Sequence, residues 1–406
     1  MQNKITYKNI IFIFLGLLLN QCVEPIDIDT TILEDAIVIE ATITNEYKYQ
    51  KIRLTRSLNF TDDIPNNETN ASVIILDDLN KTYSFQEESP GIYISTNKFM
   101  AEPNKKYQLQ ITTSSGKIYN SQVSELPGTT TIDNLSATNA TDNLGNKKIS
   151  ILVDSYDASS NSIYYRYEYE ETYKIIAPNW TFMDMVADLF PPFQIRFEKK
   201  TEEQQVCYQT EYSNSIIQTK TNDLSEDRVS KFEVRSIPID NPIISHRYSI
   251  LVKQYIQSLA SYTYYKTLNK QSSTENLFSS NQPGFIRGNV FSVNNPNELV
   301  IGYFEVTSVS SKRLFFNFKD IYPEEPGPPY FSECNTSAPS TRTLPGESDP
   351  SDLAIGINDG SIKYYTRNPN YPNPLDLNAG PYLVVSSECG DCTQLGSNIK
   401  PDFWED

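Results

Sequence analysis

Ile37-Val38-Ile39-Glu40-Ala41-Thr42-Ile43-Thr44 is the stretch that decides the fold class. Ile37, Ile39, Ala41 and Ile43 fall on one side of an extended chain, and Val38, Glu40, Thr42 and Thr44 on the other. Successive side chains of a strand leave opposite faces, so this period of two marks a half-buried β-strand. Working outward, the alternation returns at 50–57, 71–77, 82–87, 91–96, 106–112 and 118–124, divided by turn-rich pieces such as Asp62-Asp63-Ile64-Pro65-Asn66-Asn67. Short strands at this spacing predict an immunoglobulin- or fibronectin-like β-sandwich over residues 36–128, closed by Leu126-Pro127-Gly128.

Residues 129–406 read as a larger β-rich domain with Pro-rich loops and a cysteine-containing tail. Strands are expected at 147–156, 163–176, 206–219, 231–237, 247–257, 288–293, 299–309, 312–317 and 363–365. One helix interrupts them, with Ser258 as N-cap and an apolar stripe of Leu259, Tyr262, Tyr265 and Leu268. A second short helix is expected at 182–189, and proline marks loops at 322–330, 343–350 and 368–381. The 27 Tyr and 19 Phe suit pleated, half-buried surfaces, so the chain as a whole is expected to be mainly β.

The beginning of the chain carries an address. Lys4 and Lys8 precede the apolar run Ile10–Leu19, too short for the roughly 30 Å of a bilayer core. Leu19-Asn20-Gln21-Cys22 then sets a cysteine where a lipoprotein signal peptidase cuts, although Gln21 departs from the usual small residue. Residues 1–21 are therefore expected to be a signal peptide, with Cys22 as the lipidated first residue of the mature protein. Several acyl chains, at about 0.8 kcal/mol per buried methylene, make such an anchor effectively permanent. Residues 22–35 form an acidic tether beginning Val23-Glu24-Pro25-Ile26-Asp27-Ile28-Asp29. The expected location is the outer membrane, facing the cell exterior.

Removing residues 1–21 takes away two lysines and no acid, leaving 51 acids against 32 bases. Nucleic acid is excluded as a partner, since binding it requires a basic stripe that displaces counterions. Cys207, Cys334, Cys389 and Cys392 remain after Cys22. An even number in an oxidising compartment predicts disulfides, with three pairings open. Zinc is the rival, on the spacing of Cys389-Gly390-Asp391-Cys392, but no second such pair supports it.

Catalytic equipment is sparse. The lone histidine, His246, stands at the start of a strand, and no nucleophile elbow or phosphate-cradling loop occurs. No cofactor and no metal are expected. Glycoside hydrolysis needs only two carboxylates, and Glu168, Glu170 and Glu171 sit among tyrosines, although a solvated strand face explains them as well. Tyr165, Tyr167 and Tyr169 belong to a cluster that either packs between sheet and helix or offers a docking surface for sugars or peptides. Trp404, in Pro401-Asp402-Phe403-Trp404, either docks on the body or serves a partner.

Cys22-Val23-Glu24-Pro25, Gly91-Ile92-Tyr93, Tyr107-Gln108-Leu109, the strand-to-helix join at 254–265, Gly288-Asn289-Val290, Val300-Ile301-Gly302-Tyr303-Phe304, Cys389-Gly390-Asp391-Cys392 and Pro401-Asp402-Phe403-Trp404 occur in an order that resembles the Bacteroidota lipoproteins labelled domain of unknown function 4249. The resemblance covers nearly all of the mature chain. It implies a surface lipoprotein, often encoded beside a TonB-dependent outer-membrane receptor, with no assigned catalytic residues. The function expected from these readings together is a binding or accessory subunit of an outer-membrane β-barrel complex. A surface glycan hydrolase, or an adhesin or structural surface protein, is the alternative.

Overall fold

A computed structural model describes residues 36–57, 66–190, 194–272, 286–341, 350–372 and 379–406. The expected signal peptide, Cys22 and the tether at 22–35 lie outside the described residues, as do residues 343–349 of one expected loop. The chain is mainly β. Its first strands are β1 (Ile37–Thr44), β2 (Lys51–Arg56), β3 (Ser72–Asp77), β4 (Thr82–Ser89), β5 (Ile92–Ser95), β6 (Lys106–Thr112), β7 (Ile118–Ser121) and β8 (Ser124–Glu125). Then come β9 (Asn134–Thr141), β10 (Lys147–Tyr156), β11 (Tyr164–Ile176), β12 (Met183–Ala187), β13 (Ile195–Lys199), β14 (Val206–Tyr212), β15 (Ile217–Lys220), β16 (Arg228–Pro238) and β17 (Tyr248–Gln257). Helix α1 (Leu259–Ser272) precedes β18 (Val290–Ser292) and the long β19 (Val300–Phe316). The chain closes with α2 (Phe318–Ile321), α3 (Asp352–Asn358), β20 (Ile362–Arg367), β21 (Tyr382–Ser386) and α4 (Ser387–Gly390). None of the described helices is long and apolar enough to cross a membrane.

β1 sits inside a 14-stranded mixed sheet of order β14-β11-β17-β19-β1-β2-β5-β4-β3-β6-β7-β18, with β15 beside β11 and β8 beside β6. It pairs antiparallel with β2 and parallel with β19, in a register running from Ile37 opposite Val300 to Thr44 opposite Thr307. The inward face of β1 is the one the alternation marks: Ile37, Ile39, Ala41 and Ile43 are buried with Tyr93, Tyr107, Tyr119 and Phe304 in one core. At the far edge, β18 is brought back to β19 by Asn289, whose side chain accepts from the Phe304 N–H at 2.7 Å and donates to the Phe304 carbonyl at 2.8 Å. The sheet thus wraps around its own core.

Two glycines make that wrapping feasible. A Cβ on Gly288 would stand 1.6 Å from the Gly302 carbonyl oxygen, and one on Gly302 would stand 2.0 Å from the Ile39 carbonyl oxygen. Gly302 also has φ +125°, where an L side chain is strained. The first sandwich-like unit therefore does not end at Gly128: β18 and β19, about 170 residues further along, complete it.

The second half of β19 joins β17 and β11 to cover a different core. On its other side lies the three-stranded sheet β16-β10-β9, so Ile149, Ile151 and Val153 of β10 meet Tyr165, Tyr167, Ile250 and Val252. The strands expected at 299–309 and 312–317 are one strand, because Ser310, Ser311 and Lys312 stay paired with β17. The run expected at 206–219 divides into β14 and β15, both alongside β11. The helix expected at 182–189 is instead β12, paired with β13. Its Met185 and Ala187 are buried while Met183, Asp184 and Val186 are less so, a period of two that the mixed composition obscures. β9, β13 and β21 carry too little alternation to be expected; in β9 only Leu135 is buried.

Candidate functional site

Residues on β1, β2, β11, β17 and β19 that turn away from the two cores meet on one outer face. Register places Glu40 between Arg53 and Tyr303, Thr42 beside Glu305, and Arg166 beside Tyr255. Helix α1 roofs part of this face. It starts where Ser258 Oγ accepts from the Ser261 N–H at 3.1 Å, so the expected N-cap is present. Tyr262 packs on Tyr164 with ring centroids 4.9 Å apart, and Tyr264 on Tyr303 at 5.0 Å. The expected stripe is partly met: Tyr262, Tyr265 and Leu268 are half-buried, but Leu259 is 61% exposed.

Between the helix and the sheet opens a cleft of about 540 Å³, lined among others by Glu40, Arg166, Glu168, Tyr264, Tyr265 and Tyr303. It continues into a second hollow of about 430 Å³ that shares Glu40, Thr42, Arg166 and Glu168 and adds Lys51, Arg53 and Tyr255. Together they form one trough across β1.

Arg166 is the centre of this trough, and it is 7% exposed. A buried charge is tolerated when paired and hydrogen-bonded. Here Nη2 donates to Glu305 at 2.9 Å, Nη1 donates to Glu168, and the guanidinium lies 4.3 and 4.9 Å from the Tyr255 and Tyr265 ring centroids. Glu305, itself 2% exposed, also accepts from Gln257 Nε2 at 3.0 Å and from Ser261 Oγ. Tyr255 donates its hydroxyl to Glu168 at 2.9 Å. Arg166 Nε has no hydrogen-bond partner among the described residues.

Burial works against the Arg166 charge, but Glu305 first and then its other neighbours outweigh it and hold the guanidinium firmly protonated. Burial likewise pushes the Glu168 carboxyl up, yet Arg166 and the Tyr255 hydroxyl bring it below its ordinary range. Burial and Glu168 keep the Tyr255 phenol protonated. Glu168 is therefore an ionised acceptor, not a proton donor, near neutral pH.

The tyrosine cluster belongs mostly to the interior. Tyr165 and Tyr167 are fully buried, so neither offers a docking surface; their hydroxyls donate to Asp227 at 2.7 Å and to Gln254 at 3.0 Å. Tyr169 is half-buried against the same core, beneath Arg235. Nor do the neighbouring acids form a solvated face. Glu171, 3% exposed, takes both Arg235 Nε and Nη2 at 3.0 Å, and Glu170 pairs with Arg313 at 3.0 Å.

Trp404 is docked. It is 5% exposed, edge-on to Tyr208 at 4.9 Å and Phe315 at 5.7 Å, while Arg313 lies 3.6 Å from the Phe403 ring centroid. Cys207–Cys392 and Cys334–Cys389 are disulfides, each with Cα atoms 5.6 Å apart. The neighbouring Cys389 and Cys392 thus serve separate bridges and are not free to hold zinc. His246 lies away from the trough in a hollow with Lys174, Arg247 and Lys319, where burial and Lys174 lower its pKa. Sequence reading missed Glu40, Tyr255, Tyr264, Tyr303 and Glu305. The one signal for them was Glu305, an acid set among the apolar residues of Val300-Ile301-Gly302-Tyr303-Phe304-Glu305-Val306.

Fold and site together define a mainly-β protein with a tyrosine-lined, charge-paired trough on the outer face of its sheet. The chain belongs to the family described as Domain of unknown function (DUF4249), whose model matches residues 23–313. That span contains every trough residue and ends within β19. No match was found among the curated proteins.

Proposed function

We propose that the chain is a lipid-anchored outer-membrane lipoprotein, displayed on the cell exterior, that acts by binding as an accessory subunit of an outer-membrane β-barrel complex, a TonB-dependent transporter or another barrel assembly. The observation that carries the binding reading is the trough. It gathers charged and aromatic groups on one face of a sheet, and one of its two lining carboxylates, Glu168, is held ionised.

Leader and cysteine support the anchor, and the acidic tether supports display. Fourteen residues, 22–35, separate the start of the body from the membrane. Fully extended they reach about 50 Å, and confinement to that layer raises the effective concentration of any barrel beside the anchor.

The test is purification from membranes in mild detergent. The docked C-terminus argues against a tag there, so the tag belongs in the exposed β9–β10 turn at Leu144, which is 87% exposed. A β-barrel protein should co-purify. Repeated recovery of the lipoprotein alone contradicts the proposal.

A further inference from the structure

We infer that the trough across β1 is a binding site for a neutral oligosaccharide. The inference rests on the binding reading above and supplies the ligand class that reading leaves open.

Charge is the first observation. Lys51, Arg53 and Arg166 line the trough with Glu40 and Glu168, and Glu305, buried and paired with Arg166, brings the acids to three against three bases, so the trough carries little net charge to attract an ion of either sign. The chain around it carries −17, which disfavours anions further. Such interleaved donors and acceptors suit hydroxyl groups, since one hydroxyl can accept from a base and donate to the neighbouring carboxylate.

The second observation concerns backbone. A bound extended peptide must satisfy its own N–H and C=O groups, and does so most readily at a free sheet edge. On the trough floor β1 is paired on both sides by β2 and β19, and β17 by β19 and β11; β19 pairs with β1 alone over Val300–Thr307, and on its other edge the Asn289 side chain takes up the Phe304 N–H and C=O. The floor therefore offers mainly side chains. A sugar is recognised through side chains, with hydroxyls to polar groups and ring C–H faces to aromatic rings.

Aromatic placement is the third. Tyr264, Tyr265 and Tyr303 line the cleft beneath α1, while Tyr255, buried under the Arg166 guanidinium, lines the second hollow. The two hollows share four residues, so the trough extends past the footprint of one sugar ring. Sequence contributed nothing here, because these residues come from six separate elements.

The mature full chain, in detergent, is titrated calorimetrically with maltohexaose, cellohexaose, xylohexaose, mannohexaose and laminarihexaose, with a galacturonic acid hexamer and hexaglycine as contrasts. At least one neutral hexaose should bind, and Glu40→Gln or Tyr303→Ala should weaken it by about tenfold, the scale of one hydrogen bond or one ring contact. Leu144→Ser, on a distant turn, should leave it unchanged. Failure of every neutral hexaose, binding of the acidic or peptide contrast alone, or binding indifferent to both trough variants overturns the inference. Barrel co-purification is scored separately. A barrel recovered without sugar binding rejects this inference alone, and sugar binding without a barrel rejects the partner assignment alone.

Discussion

Replacing Glu305 by glutamine perturbs the trough at its best-defined interaction. Arg166 and Glu305 are 8% and 2% exposed at their side chains and 2.9 Å apart, so their pairing is poorly screened by solvent. Glu305→Gln keeps the shape and leaves the side-chain oxygen able to accept from Gln257 or Ser261. It removes the charge opposite Arg166, however, and can turn an amide N–H towards a guanidinium. Breaking a buried pair from one side costs about 3–5 kcal/mol, because the surviving charge stays buried without compensation. Urea unfolding followed by tryptophan fluorescence measures this loss, since Trp180 and Trp404 both pack in the part of the molecule that contains β11. The double variant Arg166→Met with Glu305→Leu should recover part of the loss, as neither charge then remains to be desolvated, although Gln257 and Ser261 lose an acceptor. Glu305→Gln within about 1 kcal/mol of the parent, or a double variant no more stable than Glu305→Gln, would rule out this role for the pair.

Gly302→Ala should prevent the β1–β19 pairing, since its Cβ would stand 2.0 Å from the Ile39 carbonyl oxygen at a positive φ; soluble, cooperatively folding G302A would contradict the packing described. Non-reducing peptide mapping should recover Cys207–Cys392 and Cys334–Cys389 and no bridge between Cys389 and Cys392. Cys392→Ser opens a link across 185 residues and should lower stability by about 2–5 kcal/mol, so a loss below about 1 kcal/mol would count against it. Because the Glu168 carboxyl is lowered on folding, its stabilisation is present above the unfolded value near 4.5 and is lost as pH falls through the folded one. Urea midpoints from pH 6 down to pH 3 should therefore fall less steeply for Glu168→Gln than for the parent, and parallel profiles would reject the assignment.

The strands that alternate strictly were legible in the sequence. β1, β6 and β10 lie where their periodicity puts them, because one face of each is fully buried and the other is not. β11 was legible as a strand but not in its role, since residues on both of its faces are buried and its acids answer arginines from β16 and β19. β12 was mistaken for a helix because five residues between proline-rich pieces carry too short a pattern to fix a period. The trough was out of reach for a different reason. Glu40, Arg166, Tyr255, Tyr265 and Tyr303 become neighbours only through the parallel pairing of β1 with β19, and periodicity within a segment says nothing about which distant strand lies beside it. The Gly288–Gly302 crossing that permits the pairing was visible as two glycines, without their reason.

The proposed function requires the protein to be held at the cell surface through Cys22. Cells expressing the parent or Cys22→Ser, labelled with radioactive palmitate and then treated intact with protease, test it most directly. The parent should be labelled, membrane-bound and protease-accessible, and the C22S chain unlabelled and released. Equal membrane retention of the two, or a labelled parent that intact cells shield from protease, would contradict it.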